Sequence, residues 1–416
     1  MKTNQFYLFS FLFLFISVSC NKDSDPAPPS NEAAITSLTF NIPGDDGNKK
    51  PFGIAFTIAE NVIENADSLP YKTDVDSLYP VLLPSNRFYS YKENIDQEDY
   101  TPKTEETFWD FSAYDSIFVR STAANNTDFT DYIVKVKVHK VDPDLIAWTK
   151  HTAPIGSPDG VSFAKAIVKG SEVYYFVRQY DITNLYISTD GVNFPSQPKI
   201  HNINVSSDML FFNNQFYGLN AGKLVSFSFD GENWNDVAAP DLLFDNLLFF
   251  MGGNLIAAKD GNCVKINVAD FSMTPLGALP ANFPTENIQT FVVQEPAGYE
   301  TGYVIGGAEE NRLLFRIDNL SHSWSDLSTT GSTPFTERTG ASILHYDNKL
   351  WVMGGNKKVE ASPNGLIWHS EDRWQTPSEN INLHNQTTVE FNGSIIAIGT
   401  DGLWKGRMNK MDFKIK

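Results

Sequence analysis

Histidine and cysteine, which often bind metals or act as nucleophiles, are few in this chain and follow no spacing that such a site needs. Its seven histidines are His139, His151, His201, His322, His345, His369 and His384. Metal sites place their ligands at short, regular spacings, so this scatter predicts no metal and no cofactor. Cys263 lies in the strand-like run Cys263–Ile266 with no histidine nearby, and we expect a buried structural thiol there.

Two acidic clusters in the first third of the chain have the residue types that calcium prefers. They are Asp45–Asn48 and Asp74–Asp76. Neither has the spacing or the closing glutamate of a calcium loop, so turn chemistry and a solvated strand edge explain them. The chain also lacks a glycine-rich phosphate loop and a Gly-x-Ser-x-Gly turn. We therefore predict no catalytic residue and favour a non-enzymatic protein.

The charge balance excludes one class of partner. The 416 residues include 32 Lys and Arg against 50 Asp and Glu, a net charge of −18. Such a surface repels phosphate backbones and anionic lipid head groups. We expect no nucleic-acid partner, and solubility is the simplest account of the charge.

The first 32 residues have the pattern of an export signal and a tether. Lys2 precedes an apolar run, Phe6–Val18, that is too short to span a bilayer. The run ends at Ser17–Cys20, which resembles the lipobox of bacterial lipoproteins, although Ser17 stands where leucine is usual. The resemblance implies a signal peptide over residues 1–19 and lipidation of Cys20.

The segment after Cys20 is acidic and then proline-rich, which describes a stiff tether over residues 20–32. Its acidic part resembles the surface-export signal of lipoproteins from Bacteroidetes. We therefore expect an outer-membrane lipoprotein, exposed at the cell surface, that touches the membrane only through its lipid anchor.

Residues 33–141 show the period-two alternation of half-buried strands. Ile35–Ile42 and Tyr132–Val138 alternate apolar and polar residues, with turn-rich segments between such runs. Short strands without a helical stretch predict a small antiparallel sandwich, Ig-like in kind. Val141–Asp144 breaks the pattern and ends the domain.

The rest of the chain is repetitive. Three segments, Ser188–Phe194, Ser228–Trp234 and Ser362–Trp368, read Ser-x-Asp/Asn-Gly-x-x-aromatic, a turn in which Asp-Gly or Asn-Gly supplies positive φ angles. Weaker copies are centred on Asp270, Asp318 and Asn409, so the anchors recur every 40 to 48 residues.

A second marker runs in phase with the first. Tight turns between two apolar runs lie at Gly170-Ser171, Asn213-Asn214, Gly252-Gly253, Asp347-Asn348 and Asn392-Gly393, with a longer copy at Glu295–Thr301. Each unit therefore holds four strands, which is the blade of a β-propeller. We predict an all-β chain with a propeller over residues 145–416. Six blades are favoured, seven is the alternative, and Leu145–Lys150 is expected to complete the last blade.

Two short motifs resemble known propellers. Ile305–Gly307 and Met353–Gly355 look like kelch repeats, and the Ser-x-Asp-Gly turns resemble the Asp boxes of sialidases. Lipobox, sandwich and propeller together resemble a family of Bacteroidetes surface lipoproteins, domain-of-unknown-function family 6242. The resemblance implies architecture and no activity, since the arginine motif of sialidases and the copper ligands of kelch oxidases have no counterpart here.

A ligand is expected on a propeller face, in loops between second and third strands and between blades. These loops offer Tyr180, Asp181, Glu309, Arg312, Arg338, Lys357 and Asp401. The leading hypothesis is a surface protein that binds a glycan or another surface protein. The alternative is a carbohydrate-active enzyme of lyase or epimerase type, and a third is a structural component of a surface complex. Arg338 matches a position where kelch repeats often carry an arginine that supports the neighbouring blade.

Overall fold

The computed structural model describes residues 30–44, 48–155, 157–195, 197–201, 209–220, 223–227, 230–237, 243–307, 313–328 and 333–412. Cys20 with its signal segment, Glu309 and Arg312 lie outside these residues. Contacts divide the chain into two compact units, Met1–Lys140 and Val141–Lys416. Among the described residues, no helix is both long and apolar enough to cross a bilayer.

The first unit is built from two sheets. Its strands are β1 (Ser37–Pro43), β2 (Lys49–Pro51), β3 (Phe56–Ala59), β4 (Val62–Asn65), β5 (Tyr79–Leu83), β6 (Phe88–Lys92), β7 (Thr101–Pro102), β8 (Ile117–Thr122) and β9 (Phe129–Lys135). One sheet has the order β2-β1-β5 and the other β3-β4-β9-β8-β6-β7.

Alternating side chains of both sheets form one core. Phe40 on β1 and Leu82 on β5 belong to the same buried cluster as Ile117 on β8 and Val134 on β9, so the unit is a sandwich. The expectation of purely antiparallel strands was wrong for one pair, because β4 and β9 run parallel. These strands are far apart in sequence, and no hairpin dictates their relative direction. The Ig-like assignment stays a prediction.

The second unit continues with twenty-three strands and two short 3₁₀ helices, Asp372–Trp374 and Asn409–Asp412, among its described residues. The strands are β10 (Ile146–His151), β11 (Val161–Lys169), β12 (Glu172–Gln179), β13 (Ile182–Ser188), β14 (Lys199–His201), β15 (Leu210–Phe212), β16 (Gln215–Asn220), β17 (Lys223–Phe227), β18 (Trp234–Asp236), β19 (Asn246–Met251), β20 (Asn254–Lys259), β21 (Asn262–Ile266), β22 (Met273–Ala278), β23 (Gln289–Gln294), β24 (Glu300–Gly306), β25 (Leu313–Asp318), β26 (Ser325–Asp326), β27 (Ser342–Tyr346), β28 (Lys349–Met353), β29 (Glu360–Ser362), β30 (Thr387–Phe391), β31 (Ser394–Ile398) and β32 (Leu403–Met408).

These strands form six antiparallel sheets within the described residues, five of four strands and one of three. We number them as blades: β11–β14, β15–β18, β19–β22, β23–β26 and β27–β29 are blades 1 to 5, and β30–β32 with β10 are blade 6. The first strand of each blade contacts the first strand of the next, and β30 of blade 6 contacts β11 of blade 1. The sheets therefore close into a ring, a β-propeller.

The turn chemistry agrees with the sequence markers. At Asn213-Asn214, Gly252-Gly253 and Asp347-Asn348, both residues have positive φ and join the first two strands of a blade. Each of the six anchors lies at the end of the third strand of a blade or within four residues after it. In the first copy, the Ser188 hydroxyl accepts the Gly191 N–H at 3.0 Å, and the Asp190 carboxylate accepts the Val192 N–H at 2.9 Å. In that copy only Gly191 has positive φ, so Asp190 caps the turn with its side chain.

Candidate functional site

A cavity lies where the first strands of the blades begin, at the centre of the ring. It has a volume of about 370 Å³ and we call it the mouth. Its lining residues are Ser162, Phe163, Ala164, Asn246, Thr285, Asn287, Ile288, Gln289, Thr339, Gly340, Ala341, Asn385 and Gln386. They come from the starts of five blades. The corresponding residues 202–208 of blade 2 lie outside the described part of the chain.

The described lining of the mouth is mostly polar and carries no charge. Five of its lining side chains are carboxamides and three carry hydroxyls, and none of the thirteen is ionisable. A carboxamide both donates and accepts hydrogen bonds. Among described groups, the side chains of Asn246, Gln289 and Asn385 have no hydrogen-bond partner, so these three carboxamides can serve a ligand.

The other two carboxamides are held by the protein. Gln386 is 3% exposed, and its Nε2 donates to the Ser342 hydroxyl at 2.5 Å and to the Met353 carbonyl at 3.3 Å. Asn287 Nδ2 donates to the Gly307 carbonyl at 2.9 Å. A Cβ at Gly354 would lie 2.7 Å from the Gly340 carbonyl oxygen. These contacts fix the wall of the mouth between blades 4 and 6.

Tyr180 and Asp181 lie in the loop between β12 and β13, on the same end of blade 1 as the start of β11. The Tyr180 side chain is 68% exposed, and its ring covers Gly160, where a Cβ would lie only 2.4 Å from Tyr180 Cε1. The Tyr180 N–H donates to the Gly160 carbonyl at 2.9 Å. Asp181 is also exposed. This loop is therefore fixed by a glycine and presents its aromatic ring to solvent.

Arg338 lies inside the protein, with 1% of the residue exposed. Its guanidinium forms an ion pair with Glu360 and donates to the carbonyls of Thr336 at 3.0 Å and Lys358 at 3.1 Å. Burial lowers the pKa of Arg338 below its usual range, and the neighbouring Glu360 carboxylate opposes that shift. The side chain therefore holds the connection that carries Thr339 and Gly340 into the mouth, and it reaches no ligand itself.

Lys357 and Asp401 are exposed in the loops between second and third strands of blades 5 and 6. Asp401 has a partner: its Oδ2 lies 2.7 Å from His384 Nδ1, and its Oδ1 accepts the His384 N–H at 2.9 Å. His384 is 79% exposed at its side chain and directly precedes Asn385 of the mouth. A carboxylate that orients an imidazole is an arrangement used in general base catalysis.

The described residues predicted from the sequence as ligand contacts therefore lie around the mouth, and none of them lines it. Tyr180, Asp181, Lys357 and Asp401 lie in loops at the same end of the blades, while the cavity is lined by the starts of inner strands. A signal was present, because Asn246, Asn287, Thr339 and Asn385 recur with nearly the period of the repeat. The described residues contain no group of three or more His, Cys, Asp or Glu that could hold a metal.

Comparison with protein families identifies the second unit. The DUF6242 beta propeller domain matches residues 142–416, so the chain belongs to this family. This match confirms the predicted resemblance and the all-β propeller fold. A search of curated proteins found no match.

Solved structures resemble this chain only weakly. An auxiliary nutrient binding protein from Bacteroides ovatus ATCC 8483 is 8% identical, with a TM-score of 0.45, and the alignment covers 77% of this chain and 90% of that one. The extracellular domain of a putative one component system from B. thetaiotaomicron is 9% identical, with a TM-score of 0.37, over 82% of this chain and 39% of that one. At these TM-scores the likeness carries no argument about the ligand.

Proposed function

We propose that the protein binds a neutral glycan at the mouth without transforming it. The observation that carries this proposal is the described lining of the mouth, whose residues offer three unpartnered carboxamides, several hydroxyls and no ionisable group. Sugar hydroxyls donate and accept as carboxamides do, so the two are complementary. A volume of about 370 Å³ falls in the range of small-ligand pockets. A protein partner needs a far larger surface, roughly 800 Å² on each side.

Titration calorimetry of the chain from Ser30 onward against a panel of neutral and charged glycans tests this proposal. The described strands all begin after that residue, so such a chain keeps both units. The double variant Gln289→Ala/Asn385→Ala is expected to weaken binding about fivefold or more, because each lost hydrogen bond costs about 0.5–1.5 kcal/mol.

The matched control is Asn235→Ala, an exposed carboxamide on β18 at the outer side of blade 2. It is expected to leave affinity unchanged. Equal affinity of the double variant and the parent would move the site away from the mouth. Tight binding of only charged glycans would show that the ligand class is wrong.

We also infer that the protein is held on the outer membrane by lipid at Cys20, with the propeller exposed outside the cell. The support is the apolar run that ends at Ser17–Cys20 and the acidic, proline-rich segment after it. Growth with a labelled fatty acid should label the parent and leave Cys20→Ser unlabelled. Protease added to intact cells should digest the propeller, and its full protection would rule out surface exposure.

A second candidate function rests on the His384–Asp401 pair. The imidazole is oriented by the carboxylate at 2.7 Å and adjoins the mouth, so a carbohydrate lyase or epimerase could use His384 as its base. The same glycans, incubated with the protein and analysed by mass spectrometry and NMR, separate the two functions. A product formed by the parent protein but not by His384→Ala, with glycan binding retained in the variant, would establish an enzyme.

A further inference from the structure

A second cavity adjoins the mouth. This outer cleft has a volume of about 740 Å³ and shares Asn246 and Thr285 with the mouth. Its remaining walls are the end of blade 3 at Ala258 and Gly261, and the connection from β22 to β23. It therefore leads from the centre of the ring outward over blade 3.

The chemistry of the outer cleft differs from that of the mouth. Its long wall is the segment Leu279–Pro284, which contributes Leu279, Pro280, Ala281 and Phe283. These side chains are apolar, and Asp245 is the one ionisable residue among the described lining residues. The mouth therefore offers hydrogen bonds without charge, and the outer cleft, which we also call the arm, offers an apolar wall.

The arm is preformed. The Leu279 N–H donates to the Gly261 carbonyl at 2.9 Å and the Phe283 N–H to the Pro280 carbonyl at 2.9 Å. The Phe283 ring packs edge-on against Trp324, with centroids 5.0 Å apart. Pro284 is so close to Gly306 that a Cβ there would lie 2.6 Å from Pro284 Cβ. A wall fixed in this way loses little entropy when a ligand binds.

This division of chemistry matches a linear sugar chain. A pyranose ring has an apolar C–H face that packs on aliphatic and aromatic surfaces, and a rim of hydroxyls for carboxamides. A linear ligand that lies in a radial cleft points one end at the centre. A peptide end carries a charged amino or carboxyl group, for which the described lining residues of the mouth supply no counter-charge. The end of a neutral glycan carries only uncharged hydroxyls.

We propose that the protein recognises the end of a linear neutral oligosaccharide, with the terminal sugar in the mouth and the following sugars along the outer cleft. This inference rests on the proposed function and specifies its ligand. Ala281 is exposed on the wall of the outer cleft, so Ala281→Trp fills the arm without entering a core. Ala147→Trp, at an exposed position of β10, is the matched control.

Calorimetry with cello-, xylo-, manno- and malto-oligosaccharides of one to six units tests it. For the series that binds, affinity should rise about tenfold or more from one unit to three and then level off, because each added ring buries apolar surface until the arm is full. Ala281→Trp should reduce the affinity for the longer ligands to that for the single sugar, and it should leave the affinity for the single sugar unchanged. Ala147→Trp should behave as the parent.

The outcomes separate the two proposals. Affinity that is independent of length but still weakened by Gln289→Ala/Asn385→Ala would confine the ligand to the mouth and overturn this inference alone. A gain with length that survives Ala281→Trp would place the longer chain elsewhere and also overturn it. If none of the four series binds while another neutral glycan does, this inference is also overturned. Failure of every neutral glycan would overturn the proposed function.

Discussion

At the scale of single residues, Arg338 shows that a residue's type does not decide its role. An arginine in a loop between blades is a reasonable ligand contact, yet its neighbours take up its donors. Glu360 neutralises its charge and also accepts the Thr336 N–H at 2.9 Å and hydroxyl at 3.0 Å. A buried charge is tolerated only with such partners. The pair therefore fixes the connection that leads into the mouth.

Removing the carboxylate of this pair should destabilise the protein strongly. Glu360→Ala leaves a guanidinium buried without its counter-charge, which costs about 3–5 kcal/mol. The control is Glu379→Ala, whose partner Lys150 and own side chain are both about half exposed; it should cost less than about 1 kcal/mol. Urea unfolding followed by tryptophan fluorescence gives both values. Similar losses for the two variants would contradict a structural role for Glu360.

Cys263 is a second residue whose role follows from its surroundings. It is free and 1% exposed on β21, and burial raises the pKa of its thiol to about 11, although a hydrogen bond with Trp324 opposes the shift. Since the thiolate is the reactive form, iodoacetamide at pH 8 should label the chain from Ser30 onward only as fast as it unfolds. Labelling should become rapid in urea. Rapid labelling of the native protein would contradict the burial.

At the scale of elements, the serine-led turns join neighbouring blades as well as strands. A Cβ at Gly191 would lie 3.0 Å from Phe391 of blade 6, one at Gly231 3.2 Å from Leu185 of blade 1, and one at Gly365 2.8 Å from Leu327 of blade 4. Each glycine therefore packs against the preceding blade. In these three turns, the glycine leaves room for a side chain of the preceding blade.

Two glycines with similar positive φ angles separate the cost of backbone strain from the cost of crowding the preceding blade. Gly253 (φ +73°) has open space around it, whereas Gly365 (φ +79°) faces Leu327. Gly253→Ala should cost only the left-handed backbone, about 1–2 kcal/mol. Gly365→Ala should cost about 1–3 kcal/mol more, because the methyl group overpacks a buried site. Thermal and urea unfolding measure the difference, and equal costs would show that the contact between blades is soft.

The elements also show what a single sequence can predict. The turns and anchors were predicted because turn chemistry is local. The conformation of Asn213-Asn214 or Ser188–Gly191 is set by residues adjacent in the sequence. The parallel pairing of β4 with β9 was missed because it joins strands that no short turn connects. The mouth was missed for the same reason, since Asn246, Gln289 and Asn385 become neighbours only when the ring closes.

At the scale of the whole propeller unit, closure depends on one strand from the start of the unit. β10 pairs with β32 over the whole of Ile146–His151. The sequence predicted that Leu145–Lys150 completes the last blade in this way. Trp148 lies opposite Gly406, and a Cβ at Gly406 would be 2.5 Å from the Trp148 ring. Trp148 Nε1 donates to the Trp374 carbonyl at 2.8 Å. The Lys410 ammonium bridges Asp144 at 3.0 Å and Asp347 at 2.6 Å.

This arrangement makes the propeller's stability depend on whether β10 is present. Val141–Lys416 is a compact unit, so a chain that starts at Val141 should be monomeric and unfold cooperatively. A chain that starts at Thr152 loses the buried Ile146 and Trp148, about 1.5–3 kcal/mol for each, and leaves the edge of β32 unpaired, which favours association. Light scattering and thermal unfolding should show a lower melting temperature and oligomers, and a peptide of residues 141–153 added in trans should reverse both. Equal stability of the two chains would mean that contacts between the inner strands alone hold the ring closed.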